Sequence, residues 1–367
     1  MNSANGSRFA MLAYELDSVG SLTQTLTAPE PTLQDGQVLL RTKRVSICST
    51  DISYFRGYLL APEFPIIPCH EYMGEVIDSR IEDPEFQKGK HVVYWGQSDF
   101  MGLAEYRVIN PVKGADRTSK SWKTDRDFFD DSRAAAAAID PERIGETASL
   151  LEPLTSVLRS LFWNAPKPGE NVIILGAGPC GLLATQVLRR VFACGRITVL
   201  DINRDRLAVA SDLGADTVVE PRDGADTLEA LIRDQDGAHA SFVFDTLPHV
   251  DARQAGVDTR QQALRLLEPD GRYVIYGATE LPQEINTWLL LAKGIRVVAA
   301  PFDVRAFPMP KSARVLETAA RLAESGLIRL DSLVTAEMAA SDEAGIRAAF
   351  ADYGQGGSLK TVITFDA

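Results

Sequence analysis

The chain has 367 residues, 45% of them hydrophobic, and 38 Lys and Arg against 50 Asp and Glu give a formal net charge of -12. That length allows two domains of ordinary size, each with its own core. The acidity argues against a nucleic-acid or anionic-membrane partner, while a local basic pocket for a phosphate stays open. Residues 1–8 are polar, and 9–16 are too brief and too interrupted for a signal-peptide core. No apolar run reaches the ~18 residues of a membrane helix. A cytoplasmic location is expected, with Cys48, Cys69, Cys180 and Cys194 reduced because their spacing is not that of a disulfide framework.

Short strands separated by Gly and Pro are predicted at 9–14, 37–45, 74–78, 91–95 and 104–109, so the first part is β-rich. Residues 113–146 are polar and charged except for the alanine run at 134–138, which predicts an exposed excursion with one short helix. From Asn171 apolar strands alternate with helical patterns: 172–175, 197–200, 217–219, 242–245, 273–276 and 296–299. That alternation marks a doubly wound parallel sheet. A helix at 311–324 and a strand at 360–365 follow, and they are expected to return to the first domain. The fold class is therefore α/β.

The apolar strand at 172–175 runs into Gly176-Ala-Gly178-Pro179-Cys180-Gly181 and then a helical run at 182–191. In that setting the first glycine permits the tight turn and the second lets backbone approach a pyrophosphate. The third lets helix pack on strand, and the helix N-terminus offers N–H groups to the anion. Gly176, Gly178, Pro179, Cys180 and Gly181 form the expected dinucleotide loop, with the Cys180 side chain read as packing. Asp201 ends the next strand, where a carboxylate accepts hydrogen bonds from the adenosine ribose, which favours NAD over NADP. Arg204 and Arg206 stand close enough to flank the adenine or to rescue a phosphate.

Ahead of this loop stand Cys48-Ser49-Thr50-Asp51, Cys69-His70-Glu71 and Glu152-Pro153. Together they offer a thiolate, an imidazole and carboxylates to one metal ion. Three such ligands with one open position suit a catalytic zinc, and magnesium prefers all-oxygen shells. His91 reads as structural, and His239 and His249 as surface residues.

These motifs, with Glu152-Pro153-Leu154, resemble the zinc-dependent medium-chain dehydrogenases over nearly the whole length. The resemblance implies a GroES-like catalytic domain at 1–160, a Rossmann domain at 161–301 and a return to the catalytic domain at 302–367. It implies that Cys48, His70 and Glu152 hold zinc, as in the sorbitol and threonine dehydrogenase branches. Glu71 would be an exchangeable neighbouring ligand, Asp51 would orient His70, and Thr50 would relay the proton of the alcohol. Two departures stand out: Cys69 replaces a glycine, and the four-cysteine structural-zinc lobe is missing between 95 and 104. One catalytic zinc per chain is expected.

Residues 53–58 resemble the substrate cleft of polyol and aminocyclitol dehydrogenases, whereas 284–289 and the missing lobe resemble the ribulose-phosphate reductases. The expected activity is NAD-dependent interconversion of a secondary alcohol and a ketone on a polyol, cyclitol, aminocyclitol or sugar-like substrate. Alternatives are an NADPH-dependent ketose-phosphate reductase, with Arg56 and Arg305 as phosphate binders, or a silent dinucleotide-binding redox sensor. By resemblance the chain is a homo-dimer or homo-tetramer in contact near 296–299, acting on a small hydroxylated molecule without nucleic acid or membrane.

Overall fold

The computed structural model describes residues 10–29, 32–59, 64–96, 101–115, 133–221, 225–234, 239–248, 258–277, 281–355 and 358–365. Its first part is β-rich. Strands β1 (Ala10–Ser18) and β2 (Ser21–Pro29) form an antiparallel hairpin, the second arm of which the sequence pattern did not reveal. β3 (Val38–Ser46) leads through the short helix α1 (Ser49–Phe55) to β4 (Glu71–Ser79), and β3 and β4 pair antiparallel. β5 (His91–Trp95) adds to β4, β6 (Tyr106–Ile109) pairs with β3, and β7 (Pro111–Val112) lies near the far edge.

The alanine run corrects the sequence expectation. Residues Ala134–Ile139 are a strand, β8, paired with β5 on one side and β7 on the other. Alanine has the highest intrinsic helix propensity, but that preference is only a few tenths of a kcal/mol per residue over ordinary residues, roughly. Two waiting ladders and nearly complete burial outweigh it, since Ala134, Ala135 and Ala136 are buried beneath neighbouring elements.

After α2 (Pro141–Ile144), helix α3 (Leu151–Trp163) runs through the interior with residues Leu151, Leu154, Val157, Leu158 and Leu161 fully buried. Then come β9 (Val172–Leu175), α4 (Pro179–Arg190), β10 (Ile197–Leu200), α5 (Arg204–Leu213), β11 (Thr217–Val219), β12 (Ala240–Asp245), β13 (Leu267–Ile275) and β14 (Arg296–Ala299). These strands form one six-stranded parallel sheet in the order β11-β10-β9-β12-β13-β14. Every residue of β9 and β10 is buried, as a parallel sheet covered on both faces requires. The order reverses between β9 and β12, and the crevice beyond their carboxyl ends is where such sheets bind ligands.

The helix Met309–Glu324 packs on α3, and the chain then returns to the first sheet. β15 (Val334–Ala339) pairs with β16 (Lys360–Thr364), and β16 lies antiparallel to β3, Val362 opposite Ser46. One large apolar cluster joins Met73, Val93 and Trp95 of the first sheet through Leu154 and Val157 to Val172 and Leu182 of the second. Among the described residues no helix is long and apolar enough to cross a membrane.

His239, read from sequence as a surface residue, is only 2% exposed, and its Nε2 lies 3.0 Å from Thr198 Oγ1. No periodic signal marks it because it sits just ahead of β12, where its ring meets a threonine 41 residues back in the chain. His249 lies outside the described residues.

Candidate active site

Cys48 caps the N-terminus of α1. Asp51, in the first turn, folds back to accept the Cys48 amide at 2.8 Å, the reciprocal half of a capping box. Its other oxygen accepts the Cys69 amide at 2.8 Å, so one buried carboxylate ties the Cys48 turn to the loop carrying His70. Asp51 Oδ1 lies 3.8 Å from His70 Nδ1, beyond hydrogen-bond range, so its grip on His70 runs through the backbone of residue 69. Burial pushes the Asp51 carboxyl up, with His70 and the two amides pulling it down.

Cys69 adopts φ +71°, the left-handed region that favours glycine. A Cβ there costs roughly 1–2 kcal/mol, which explains why a glycine is expected before the histidine. The strained backbone is held on both sides: the amide by Asp51, and the carbonyl by the Gly102 amide at 2.8 Å. The thiol itself packs in an apolar cluster with Val45, Ile47 and Leu103, and burial holds it well above its ordinary pKa.

Glu152 sits in the first turn of α3, and its Oε2 lies 3.9 Å from His70 Nε2. Burial pushes the Glu152 carboxyl up to about 7; the charge of Glu71 adds to this and His70 opposes it. Burial and then the Glu71 charge likewise raise the Cys48 thiol, whose Sγ lies 3.7 Å from Thr50 Oγ1. Thiol, imidazole and carboxylate come from three separate segments into one buried region, and they are the donor types of a zinc centre. As they stand, no three His, Cys, Asp or Glu side chains among the described residues are drawn close enough to hold an ion. The donors nonetheless fit one chemically, because a cation would favour the charged forms of a thiol and a carboxyl that burial disfavours.

Glu71 stands apart from these donors. It is fully buried, and its carboxylate accepts hydrogen bonds from Ser46 Oγ and Lys360 Nζ. Lys360 also donates to the Ile47 carbonyl at 3.2 Å. Burial works against the Lys360 charge, but Glu71 outweighs it and holds the ammonium well above its ordinary value. Sequence reasoning missed both Ser46 and Lys360. The available signal was a lysine heading an apolar strand, since lysine is almost never fully buried unless paired.

On the cofactor side, Gly176 has φ +93°, and a Cβ on Gly181 would meet the Gly176 carbonyl oxygen at 1.9 Å. A Cβ on Gly178 would meet nothing within 4 Å, so the backbone at the start of α4 faces open space. Such a cradle fits a pyrophosphate. Asp201 accepts the Ala177 amide at 2.6 Å and the Asn203 amide at 2.8 Å, which ties it to the loop; a carboxylate has acceptor capacity left for a ribose. Arg206 donates to the carbonyls of Ser358 and Gly354, so it bridges the nucleotide sheet to the returning C-terminal segment. Cys180 receives a hydrogen bond from the Tyr276 hydroxyl at 3.4 Å, and burial pushes its thiol up to about 12.

The arginines considered as phosphate binders have other contacts. Arg56 donates to the carbonyls of Ala351 and Tyr353 at 3.3 and 3.2 Å, and Arg305 forks onto Asp303. Asn286, in the segment that resembles the ribulose-phosphate reductases, caps the exposed helix Thr287–Lys293 by accepting the Leu289 amide at 3.1 Å.

The family model of the alcohol dehydrogenase GroES-like domain matches residues 34–113, and that of the zinc-binding dehydrogenase matches 179–307. D-arabitol-phosphate dehydrogenase of Enterococcus avium is 23% identical over 351 residues, 92% of each chain. Sorbitol dehydrogenase of Halalkalibacterium halodurans is 25% identical over 282 residues, 74% of this chain and 78% of its own. A solved alcohol dehydrogenase from E. coli CFT073, complexed with NADH, shares the fold with a TM-score of 0.73 at 19% identity, covering 97% of this chain and 99% of its own. The chain belongs to the zinc-dependent medium-chain dehydrogenases, with a GroES-like part and a Rossmann part. Within that family it is an oxidoreductase of the alcohol and polyol dehydrogenase type, using zinc and a nicotinamide cofactor.

Proposed function

We propose that this enzyme interconverts a secondary alcohol and a ketone on a polyol, cyclitol, aminocyclitol or sugar-like substrate, using NAD and one zinc per chain. The observation that carries the reading is the approach of His70 Nε2 to Glu152 Oε2, 3.9 Å, beside a Cys48 thiol that contacts Thr50. Cys48, His70 and Glu152 hold the zinc in this reading. When bound, zinc polarises the substrate oxygen as a Lewis acid, and the nicotinamide accepts or returns the hydride. Thr50 Oγ1 takes the hydroxyl proton of the alcohol and passes it towards solvent, a task its half-buried position suits. Asp51 keeps the Cys48 turn and the His70 loop in register. Glu71, held by Lys360, keeps a negative charge beside the site and is the exchangeable neighbour.

NAD is favoured by Asp201, which would set a like charge against a 2′-phosphate. An unphosphorylated substrate is favoured by the other engagements of Arg56 and Arg305. A homo-dimer or homo-tetramer is favoured by the place of β14 at the sheet's edge among the described residues and by the adjoining helix, where Trp288 and Leu291 are 69% and 75% exposed.

The test is a panel of polyols, cyclitols and aminocyclitols with NAD, set against ketose phosphates with NADPH and D-arabitol phosphate. Faster turnover of the phosphorylated set would overturn the substrate reading. Glu152→Ala should lower both zinc content and turnover, and retention of both removes Glu152 from the site. Asp201→Ser should raise relative use of NADP.

A further inference from the structure

One turn along α3 from Glu152, Ser156 donates its hydroxyl hydrogen to Glu152 Oε1 at 3.2 Å. The same Ser156 oxygen accepts the indole N–H of Trp95 at 2.7 Å. The direction of this chain is set by donor chemistry. Indole Nε1 only donates, an ionised carboxylate only accepts, and a serine hydroxyl has one hydrogen to place. With Trp95 pointing at its oxygen, Ser156 must send that hydrogen to Glu152. Oε1 is thereby occupied, and Oε2 is the oxygen left facing His70 Nε2.

Trp95 is itself fixed. It is 3% exposed at the end of β5, and the Arg159 guanidinium lies 3.9 Å from the centroid of its ring. Arg159 is 2% exposed, lies 4.2 Å from the Phe307 ring centroid, and donates to Ser312 Oγ at 3.0 Å and to the Pro301 carbonyl at 3.2 Å. The indole is therefore anchored by groups from α3, from the segment after β14 and from the helix Met309–Glu324. Cation–π contacts strengthen when they are desolvated in this way.

We propose that Trp95 and Ser156 are positioning residues for Glu152. Their hydrogen-bond chain selects which carboxylate oxygen is presented to the metal, and Arg159 clamps the indole that sets the chain's direction. The proposal rests on Glu152 being a zinc ligand. Groups that orient a ligand in this way typically govern metal affinity about 10–100-fold. The site gains a carboxylate held in one rotamer, and it gains it from β5, an element that supplies none of the ligands.

The test measures zinc affinity by competition with a chromophoric chelator on the full chain, with Glu152→Ala as reference. Ser156→Ala should weaken zinc about 10–100-fold, and Ser156→Thr, which keeps the hydroxyl, should restore most of it. Trp95→Phe keeps an aromatic face under Arg159 but loses the N–H. It should weaken zinc in the parent and have no further effect on top of Ser156→Ala, because the two act through one chain. Ser156→Ala within about twofold of the parent, while Glu152→Ala loses zinc, overturns the proposal and spares the ligand assignment. Equal losses from Trp95→Phe in both backgrounds would show that Trp95 acts through packing alone, which also overturns it. Zinc retained by Glu152→Ala overturns both readings together. If Trp95→Phe does not fold, the Ser156 pair still decides the outcome.

Discussion

Replacing Lys360 by Met tests the buried pair beside the site. The two side chains are 2% and 0% exposed, so neither charge has water to fall back on. Methionine retains the unbranched apolar reach of lysine, and the loss is therefore mainly electrostatic. Breaking one partner of a buried pair costs ~3–5 kcal/mol, because the remaining charge is left uncompensated. At ~2–4 °C per kcal/mol for a domain of 150–250 residues, the melting midpoint should fall by roughly 6–20 °C. Calorimetry with excess chelator keeps zinc linkage out of the measurement.

The double variant Lys360→Met/Glu71→Gln should recover most of the loss, since exchanging a whole buried pair for uncharged groups is often close to neutral. A loss below about 1 kcal/mol, or a double variant as unstable as the single, would refute the assignment of Lys360 as the counter-charge.

At Cys69 the left-handed backbone reverses the usual ranking of small residues: Cys69→Gly should be at least as stable as Cys69→Ala in urea unfolding, where ordinary sites favour alanine by ~0.4–1 kcal/mol. Alanine ahead of glycine would mean that the φ of residue 69 does not carry the strain assigned to it. For His239, burial and then the Arg196 charge hold the pKa below 6.5, so the folded state resists a proton that the unfolded chain accepts. Stability is therefore lost as pH falls below about 6.5, at up to ~1.4 kcal/mol per pH unit. His239→Gln should flatten that slope between pH 8 and 5, and an unchanged slope would assign it to other groups, such as His91, whose pKa burial also lowers.

What the sequence exposed well were features whose chemistry is local. The strand, glycine loop and helix at 172–191 follow from apolar burial and from glycines that a Cβ would obstruct. The oddity of Cys69 was also visible, because one residue's φ preference belongs to that residue alone. Errors arose where a local preference met a distant partner. The alanines of β8 read as helix until β5 and β7 closed on them, and His239 read as surface although it is buried with its ring against Thr198.

The candidate site divides along the same line. Sequence alone put forward Cys48, His70 and Glu152 as metal donors, Thr50 as a relay and Asp201 as the ribose acceptor, the first four roles through a family resemblance carried by short motifs. Only the tertiary structure decided what holds them. Glu71 meets a lysine 289 residues away, Asp51 spans two loops through backbone amides, and Trp95 reaches Ser156 across 61 residues. Such partners cannot be read from spacing, because a hydrogen bond or ion pair depends on a separation of about 3 Å in space and is indifferent to distance along the chain.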